Sequence, residues 1–403
     1  MFIGLICSLC FIVNSYKLPI WKTGKLAIET PILLVPGMGA SRLFIREQPN
    51  RFNDFPDKKR QIYPPTMTNF ICHFNEWKSH MMEKDRLTTM AFGDKNSLTL
   101  TSESSLFSIF GSSFNKYEKI LKQPNTYAVP YDFRRLDEFI YMEEFSTKII
   151  KYIESFGKPV ILLSHSTGGL LIHWFLHQQT KEWKDKWVDK VINVNVPFGG
   201  VISVLDNCVR HDTNINRLIG RDIFQSFGAS IWNLPNTKYL KNVLEVDGKE
   251  VVDYLEYFKF YDIQRRWICN KDMMDTFYKS TGCETHIVYS TKDEHETEIE
   301  YIEKKNIEKK NIENEYVEIE TIIAHELEHI MSEILLKSTP IGLRVTDGKV
   351  SIKYGMGDGV VSLDSLLVPR FWEDQTKVIF HHIPKYEHSS ILQSWNLQQN
   401  TID

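Results

Sequence analysis

This 403-residue sequence has no excess of basic residues: 48 Lys and Arg face 52 Asp and Glu, a formal net charge of −4. Nucleic-acid binding leaves a basic footprint, so no nucleic-acid partner is expected. There is also no polybasic cluster to dock an anionic membrane by charge, and no N-x-S/T glycosylation sequon. Cysteine is sparse. Of six, Cys7 and Cys10 fall in the first ten residues, leaving Cys72, Cys208, Cys269 and Cys283. Four cysteines in an oxidising compartment allow three full connectivities. Cys269 and Cys283, close in sequence, are the first choice for a bridge. The N-terminal apolar run, Phe2 to Val13 (FIGLICSLCFIV), is too short to span a bilayer comfortably.

That run has the length of a secretory h-region, followed by Asn14-Ser15, with small Val13 and Ser15 at cleavage-compatible positions. It predicts a signal peptide over 1–15 and a secreted or endomembrane, lysosome-like lumenal location. Its n-region carries no Lys or Arg. The competing readings are a buried N-terminal strand and an uncleaved interfacial anchor. The rest, 16–403, is 42% hydrophobic over the whole chain and reads as one catalytic domain with inserted pieces.

Apolar runs bounded by turn residues recur at 31–35, 126–130, 159–163, 188–196, 286–289 and 378–383, with helix-like stretches between them. That rhythm predicts a βαβ architecture, and near-continuous apolar strands suit a mostly parallel sheet buried on both faces. A helix is expected from Arg134 to Phe156, ended by Gly157 and Pro159. Residues 46–90 show many polar, Pro and aromatic residues with no clear period. Residues 202–275 read as a cap of short helices. From 291 to 330 thirteen acidic residues face five basic ones, and IEKKN repeats within it. Such a tract cannot bury a core, so a solvated helix or loop is expected.

The most informative stretch is PVILLSHSTGGLL, 159–171. An apolar strand runs into Ser164-His165-Ser166-Thr167-Gly168-Gly169, and a helical pattern follows. This is the strand–turn–helix setting of a nucleophile elbow and predicts an α/β-hydrolase fold with Ser166 as nucleophile. Positions two before and two after must be small, which Ser164 and Gly168 satisfy. The bland reading is an ordinary tight strand-to-helix turn. A serine nucleophile needs a base, and the base an orienting acid, in the chain order Ser, acid, His. His381 and His382 sit inside the run KVIFHHI, so at least one points into packing. His388, in the loop after it, is the preferred base. Asp358, in the glycine-rich turn GMGDGVV, is the preferred acid, with Asp347 and Asp364 reading as turn and helix-cap residues. An oxyanion hole needs two preorganised amides. Thr167 supplies one, and Met38, in the Pro-Gly turn of LVPGMGA, the other. This chemistry requires no cofactor and no metal.

Together these segments resemble the lecithin:cholesterol acyltransferase family, which includes lysosomal phospholipase and phospholipid:diacylglycerol acyltransferases. The matching stretches are PILLVPGMGASRL (31–43), VPYDFR (129–134), LLSHSTGGL (162–170), NVPFGG (195–200), SIWNLP (230–235), GDGVVSL (357–363) and YEHSSIL (386–392). They occur in the family's order. The resemblance implies Ser166, Asp358 and His388 as the triad, Met38 and Thr167 at the oxyanion hole, and a mobile lid in 46–90. It implies a phospholipid substrate, a lipid-alcohol or water acceptor, and transient contact with a membrane or lipoprotein surface. In relatives a disulfide often staples the lid; here that region holds only Cys72. The 291–330 tract looks like an insertion.

One motif competes. His325-Glu326-Leu327-Glu328-His329 is an HExxH sequence, which on a helix sets two imidazoles on one face beside a glutamate base, as in zinc proteases. No third ligand follows at a familiar spacing, and the tract is rich in Glu. The bland reading is an amphipathic helix. Two alternatives to a serine acyl hydrolase or acyltransferase therefore stand: a zinc metalloprotein using HELEH, and a non-catalytic lipid carrier that keeps the fold.

Overall fold

The computed structural model describes residues 29–45, 61–65, 70, 72–84, 87–98, 117–292 and 339–394. The expected signal peptide, the 291–330 tract beyond Lys292, and HELEH lie outside the described residues. In chain order the strands are β1 (Ile32–Val35), β2 (Leu43–Ile45), β3 (Gln61–Tyr63), β4 (Leu87–Thr88), β5 (Thr126–Ala128) and β6 (Val160–His165). They continue as β7 (Val188–Val194), β8 (Leu244–Val246), β9 (Lys249–Glu250), β10 (Thr285–Thr291), β11 (Thr339–Thr346), β12 (Lys349–Gly355) and β13 (Val378–Pro384).

The main sheet has the order β13-β10-β7-β6-β1-β5, and every pair in it is parallel. Its six strands coincide with the six apolar runs. The pleat sends alternate residues to opposite faces. Leu33, Val35, Val160 and Leu162 join the larger core, and Ile32, Leu34, Ile161 and Leu163 the smaller one. On the larger side lies the helix Phe139–Glu154, which buries Met142, Phe145, Ser146, Ile149 and Ile153 at helical spacing. It ends at Ser155, and Gly157 follows with φ 66°. The chain goes outward from β1 to β5, then returns to place β6 on the other side of β1. The carboxyl ends of β1 and β6 thus flank the switch point, where open α/β sheets hold their ligands.

Two smaller sheets flank this body: antiparallel β3-β2-β4, and mixed β12-β11-β8-β9. Asp347 and Gly348, both at positive φ, form the two-residue hairpin between β11 and β12. Residues 202–275 contain the helices Ile202–Val209, Asn214–Ile219, Arg221–Ser226, Gly228–Trp232, Tyr254–Tyr257 and Tyr261–Met274, with β8 and β9 among them. No helix among the described residues is long and apolar enough to cross a membrane.

Two expectations need correction. The four cysteines Cys72, Cys208, Cys269 and Cys283 are all free, so no Cys269–Cys283 bridge forms. Cys269 is exposed on the helix Tyr261–Met274, whereas Cys283 is buried in the turn before β10, where burial pushes its thiol pKa up. The described part of 46–90 is also not patternless: it supplies β3, β4 and the helix Phe74–Met82. Tyr63, Phe70, Trp77 and Met81 pack into the larger core, while Met82 is exposed.

Candidate active site

β6 is buried along its length and apolar through Leu163, and it delivers Ser166 to the sharp turn before the helix Thr167–His177. Ser166 has φ 53° and ψ −135°, a left-handed conformation costly for a side chain-bearing residue and held only where the surroundings enforce it. The Ser166 N–H donates to the Val194 carbonyl at 3.0 Å, and the Ser166 carbonyl accepts from the Gly169 N–H at 2.9 Å. The turn leaves no room on its flanks. A Cβ on Gly168 would collide with the Pro36 carbonyl oxygen and lie 2.7 Å from that of Val35. Ser164, the small residue two before the serine, has a partner for its hydroxyl: it donates to Asn193 Oδ1 at 2.6 Å.

The turn Gly357-Asp358-Gly359 follows β12. A Cβ on Gly357 would strike the Val361 carbonyl and lie 2.6 Å from the Thr339 side chain, and Gly359 sits at φ 92°. Both glycines are therefore required by the backbone. Asp358 is fully buried, and Oδ1 accepts from the Val360 and Val361 amides at 2.9 and 2.7 Å. Its Oδ2 lies 2.7 Å from His388 Nδ1. The opposite ring nitrogen, His388 Nε2, is 2.8 Å from Ser166 Oγ. A carboxylate oxygen can only accept, so Nδ1 carries the proton and Nε2 is left to accept from the serine hydroxyl. The backbone locks the loops together as well, because the His388 N–H donates to the Asp358 carbonyl at 2.8 Å.

The structure thus brings Ser166, Asp358 and His388 into one hydrogen-bonded chain. It places the alternatives elsewhere. Asp347 is exposed in the β11–β12 hairpin, and Asp364 is exposed at the start of the helix Leu363–Leu366. His381 is half-buried against His286, its Nε2 3.0 Å from His286 Nδ1, and its pKa is lowered to about 4, first by burial and then by the charge of His286. His382 reaches Thr291 Oγ1 at 2.9 Å.

The loop after β1 passes over the serine: a Cβ on Gly37 would lie 3.0 Å from Ser166 Cβ. Among the described residues, the Met38 and Thr167 N–H groups have no hydrogen-bond partner. Thr167 also opens the helix Thr167–His177, whose N-terminal dipole favours negative charge at this point. Its hydroxyl accepts from Asn233 Nδ2 at 2.9 Å. Ser166 Oγ, backed by an unprotonated imidazole nitrogen, is equipped to attack an acyl carbon.

Sequence reasoning missed a layer behind these residues. The His388 carbonyl accepts from His165 Nε2 at 3.0 Å and from Asn195 Nδ2 at 2.9 Å. Asn195 is held at φ 47° at the end of β7, with its Oδ1 accepting from the Ser290 N–H at 2.9 Å. The signals were a polar residue adjoining the nucleophile and an asparagine closing an apolar strand. Arg134, fully buried, pairs with Asp132 through Nη2–Oδ2 at 2.7 Å and Nε–Oδ1 at 2.9 Å. Its remaining donors reach the carbonyls of His80, Met81, Glu83 and Lys84, so it caps the end of the helix Phe74–Met82.

The strand order, with the strained serine at the end of the central strand and the acid and base on later loops, is that of the α/β-hydrolase fold. Among solved structures, a chain of the Tle4–Tli4 complex covers 92% of this chain and 96% of its own at 10% identity, with a TM-score of 0.49. A likeness of that size adds nothing to the strand order. Among sequences, the lysosomal phospholipase A and acyltransferase of Rattus norvegicus is 24% identical over 283 residues, 66% of this chain and 58% of its own. The Homo sapiens phosphatidylcholine-sterol acyltransferase is 39% identical over 79 residues, 19% of this chain and 18% of its own. The match to this chain thus spans 58% of the length of its rat relative. The sequence profile described as lecithin:cholesterol acyltransferase matches residues 94–339, well over half of the chain, which therefore belongs to the lecithin:cholesterol acyltransferase family.

Proposed function

We propose that this protein is a serine-dependent phospholipase A and lipid O-acyltransferase that acts on glycerophospholipids through an acyl-enzyme. The observation that carries the reading is the unbroken chain from Ser166 Oγ through His388 to buried Asp358, at 2.8 and 2.7 Å; the Met38 and Thr167 amides are the oxyanion donors in this reading. Ser166 Oγ attacks the ester carbon while His388 Nε2 takes its proton. The oxyanion rests on the two amides. The tetrahedral intermediate collapses, the lyso-lipid alkoxide leaves with the proton returned by His388, and an acyl ester on Ser166 remains. Water or a lipid alcohol then gives its proton to His388, attacks the acyl carbon and carries the acyl group away, restoring the Ser166 hydroxyl.

Acyl-enzyme chemistry does not choose between these acceptors. Partition depends on which hydroxyl reaches the ester with His388 as base, and on how far water is excluded. In this reading residues 46–90 form the lid and 202–275 the cap that set that balance. Contact with a membrane or lipoprotein surface is transient, and the working compartment is a secretory or lysosome-like lumen. The name of the rat relative, a lysosomal phospholipase A and acyltransferase, supports both the activity and the location.

The test is a product assay with acyl-labelled phospholipid vesicles, with and without diacylglycerol, ceramide or sterol, beside labelling by a fluorophosphonate probe. Wild-type protein is expected to release fatty acid, form new acyl esters and be labelled on Ser166. Ser166→Ala should keep its fold, lose the label and lose about 10⁴-fold or more in rate. Near-normal turnover by folded Ser166→Ala protein would sink the proposal; fatty acid as the sole product would remove the transfer half alone.

A further inference from the structure

We infer that Tyr117 and His165 are positioning residues that lock the oxyanion loop and the base loop into one register across the serine. The inference rests on the function proposed above. Its basis is a single file of hydrogen bonds. The Gly37 N–H, adjoining Met38, donates to Tyr117 Oη at 2.9 Å. Tyr117 Oη lies 2.6 Å from His165 Nδ1, and His165 Nε2 lies 3.0 Å from the His388 carbonyl oxygen.

The proton positions follow from what each atom can do. A carbonyl oxygen only accepts, so His165 Nε2 is the donor to His388. In the neutral imidazole, Nδ1 is then an acceptor, and Tyr117 donates its hydroxyl hydrogen there while accepting from Gly37. Burial pushes the Tyr117 pKa up, which keeps the phenol protonated and able to donate. Tyr117 is fully buried and His165 nearly so. Bonds of this kind count for more away from water, and an unmet partner there is costly.

The file joins three parts of the chain: the loop after β1, the end of β6 and the loop that carries His388. Tyr117 holds the loop that carries the Met38 amide, and His165 holds the backbone of the residue whose ring takes the serine proton. His165 immediately precedes Ser166, so both ends are referred to the nucleophile. The imidazole of His165 lies beside that of His388, with ring centroids 4.9 Å apart, and so also backs the face of the base. Asn195 holds the same carbonyl independently, so loss of the relay loosens the base loop without releasing it. The expected signature is a lower turnover with unchanged substrate affinity, because only the relative placement of oxyanion donors and base is disturbed.

The experiment is a double-mutant cycle on the full chain: Tyr117→Phe, His165→Gln and the double variant. Readouts are kcat and KM on a short-chain soluble ester, the rate of Ser166 labelling by a fluorophosphonate, and the thermal midpoint. Tyr117→Phe keeps the ring and its packing, so the midpoint should hold within a few degrees. Its kcat and labelling rate should fall about tenfold, because both buried bonds of the hydroxyl are lost and the Gly37 N–H and His165 Nδ1 are left unmet, with KM within about twofold. In the His165→Gln background the same change should cost less than about threefold, because the file is already broken. Wild-type-like turnover in Tyr117→Phe would overturn the inference, as would losses that multiply independently. A fall in the thermal midpoint that accounts for the lost activity would overturn it too. A wild-type protein whose Ser166 takes no label would overturn the proposed function itself, and this inference with it.

Discussion

Replacing Asp358 by Asn tests the site more sharply than removing the serine, because it keeps the shape and alters only what the atoms can donate. Asp358 Oδ1 accepts two backbone amides, from Val360 and Val361, and Oδ2 faces His388 Nδ1 at 2.7 Å. In Asp358→Asn the amide oxygen must stay on the Oδ1 side; turned round, its NH₂ would meet two N–H donors in a fully buried place. The NH₂ therefore points at His388 Nδ1, which must become an acceptor. The imidazole proton moves to Nε2, the nitrogen 2.8 Å from Ser166 Oγ, and that nitrogen can no longer take the serine proton. A wrong tautomer of this kind costs about 10⁴-fold in turnover, equivalent to about 5 kcal/mol of transition-state stabilisation. The assay is steady-state hydrolysis of a short-chain ester at neutral pH, with the fold checked by thermal unfolding. The two-amide clamp on Oδ1 makes the outcome specific: Asp358→Asn should fall about as far as Asp358→Ala, despite its closer shape. A folded Asp358→Asn protein within about tenfold of wild type would refute the orienting role of Asp358 and the tautomer argument with it.

Three further outcomes are expected. Arg134→Met removes the partner of buried Asp132 and uncaps the helix Phe74–Met82, so it should cost about 3–5 kcal/mol in urea unfolding; a cost below about 1 kcal/mol would contradict it. The His173 imidazole, which donates to the Thr276 and Lys279 carbonyls, is pushed down to about 3, first by burial and then by the neighbouring His177 charge. The unfolded chain takes up this proton near pH 6.5 and the folded chain does not, so the stability held above that pH is lost as pH falls, by about 2 kcal/mol at pH 5. His173→Phe should flatten that slope between pH 7 and pH 5, and an unchanged slope would place the titration elsewhere. Strong chelators should leave lipid turnover intact, as should replacing His325 and His329 by Ala; activity lost to chelator and restored by zinc would put HELEH at the centre instead.

The sequence announced what is set by local constraint. Strands buried on both faces leave long apolar runs, and all six runs became the main sheet. A backbone at φ 53° with no room at Gly168 leaves its mark in small neighbours, and the Asp358 turn leaves its mark in glycines. What was not legible depends on partners far away in the chain. The tie from Gly37 to Tyr117 crosses 80 residues and that from His165 to His388 crosses 223. The β8–β9 and β11–β12 strands were missed because strands with partly exposed faces carry no apolar run. One miss was avoidable. Phe70, Phe74, Trp77 and Met81 recur at intervals of three and four, which is a helical core stripe, and the aromatic residues there do pack inward.

The shared motifs divide by what they touch, and the division explains why they occur as a set. SHSTGG, GDGVV and YEHSS supply the atoms of the hydrogen-bonded chain. VPYDFR, NVPFGG and SIWNLP supply supports instead. Arg134 holds the end of a helix in 46–90, Asn195 holds the His388 carbonyl, and Asn233 holds the Thr167 hydroxyl. NVPFGG and SIWNLP also hold each other. The Val201 N–H, next to the first motif, donates to the Asn233 carbonyl at 2.8 Å, and the Asn236 N–H, next to the second, donates to that of Gly199 at 3.0 Å. A Cβ on Gly200, at φ 95°, would lie 2.6 Å from Pro235 Cα. Neither motif can drift without the other, because each fills the space the other leaves, and together they carry the wall behind Thr167. NVPFGG and SIWNLP therefore act as a scaffold for the Thr167 hydroxyl and for the His388 carbonyl.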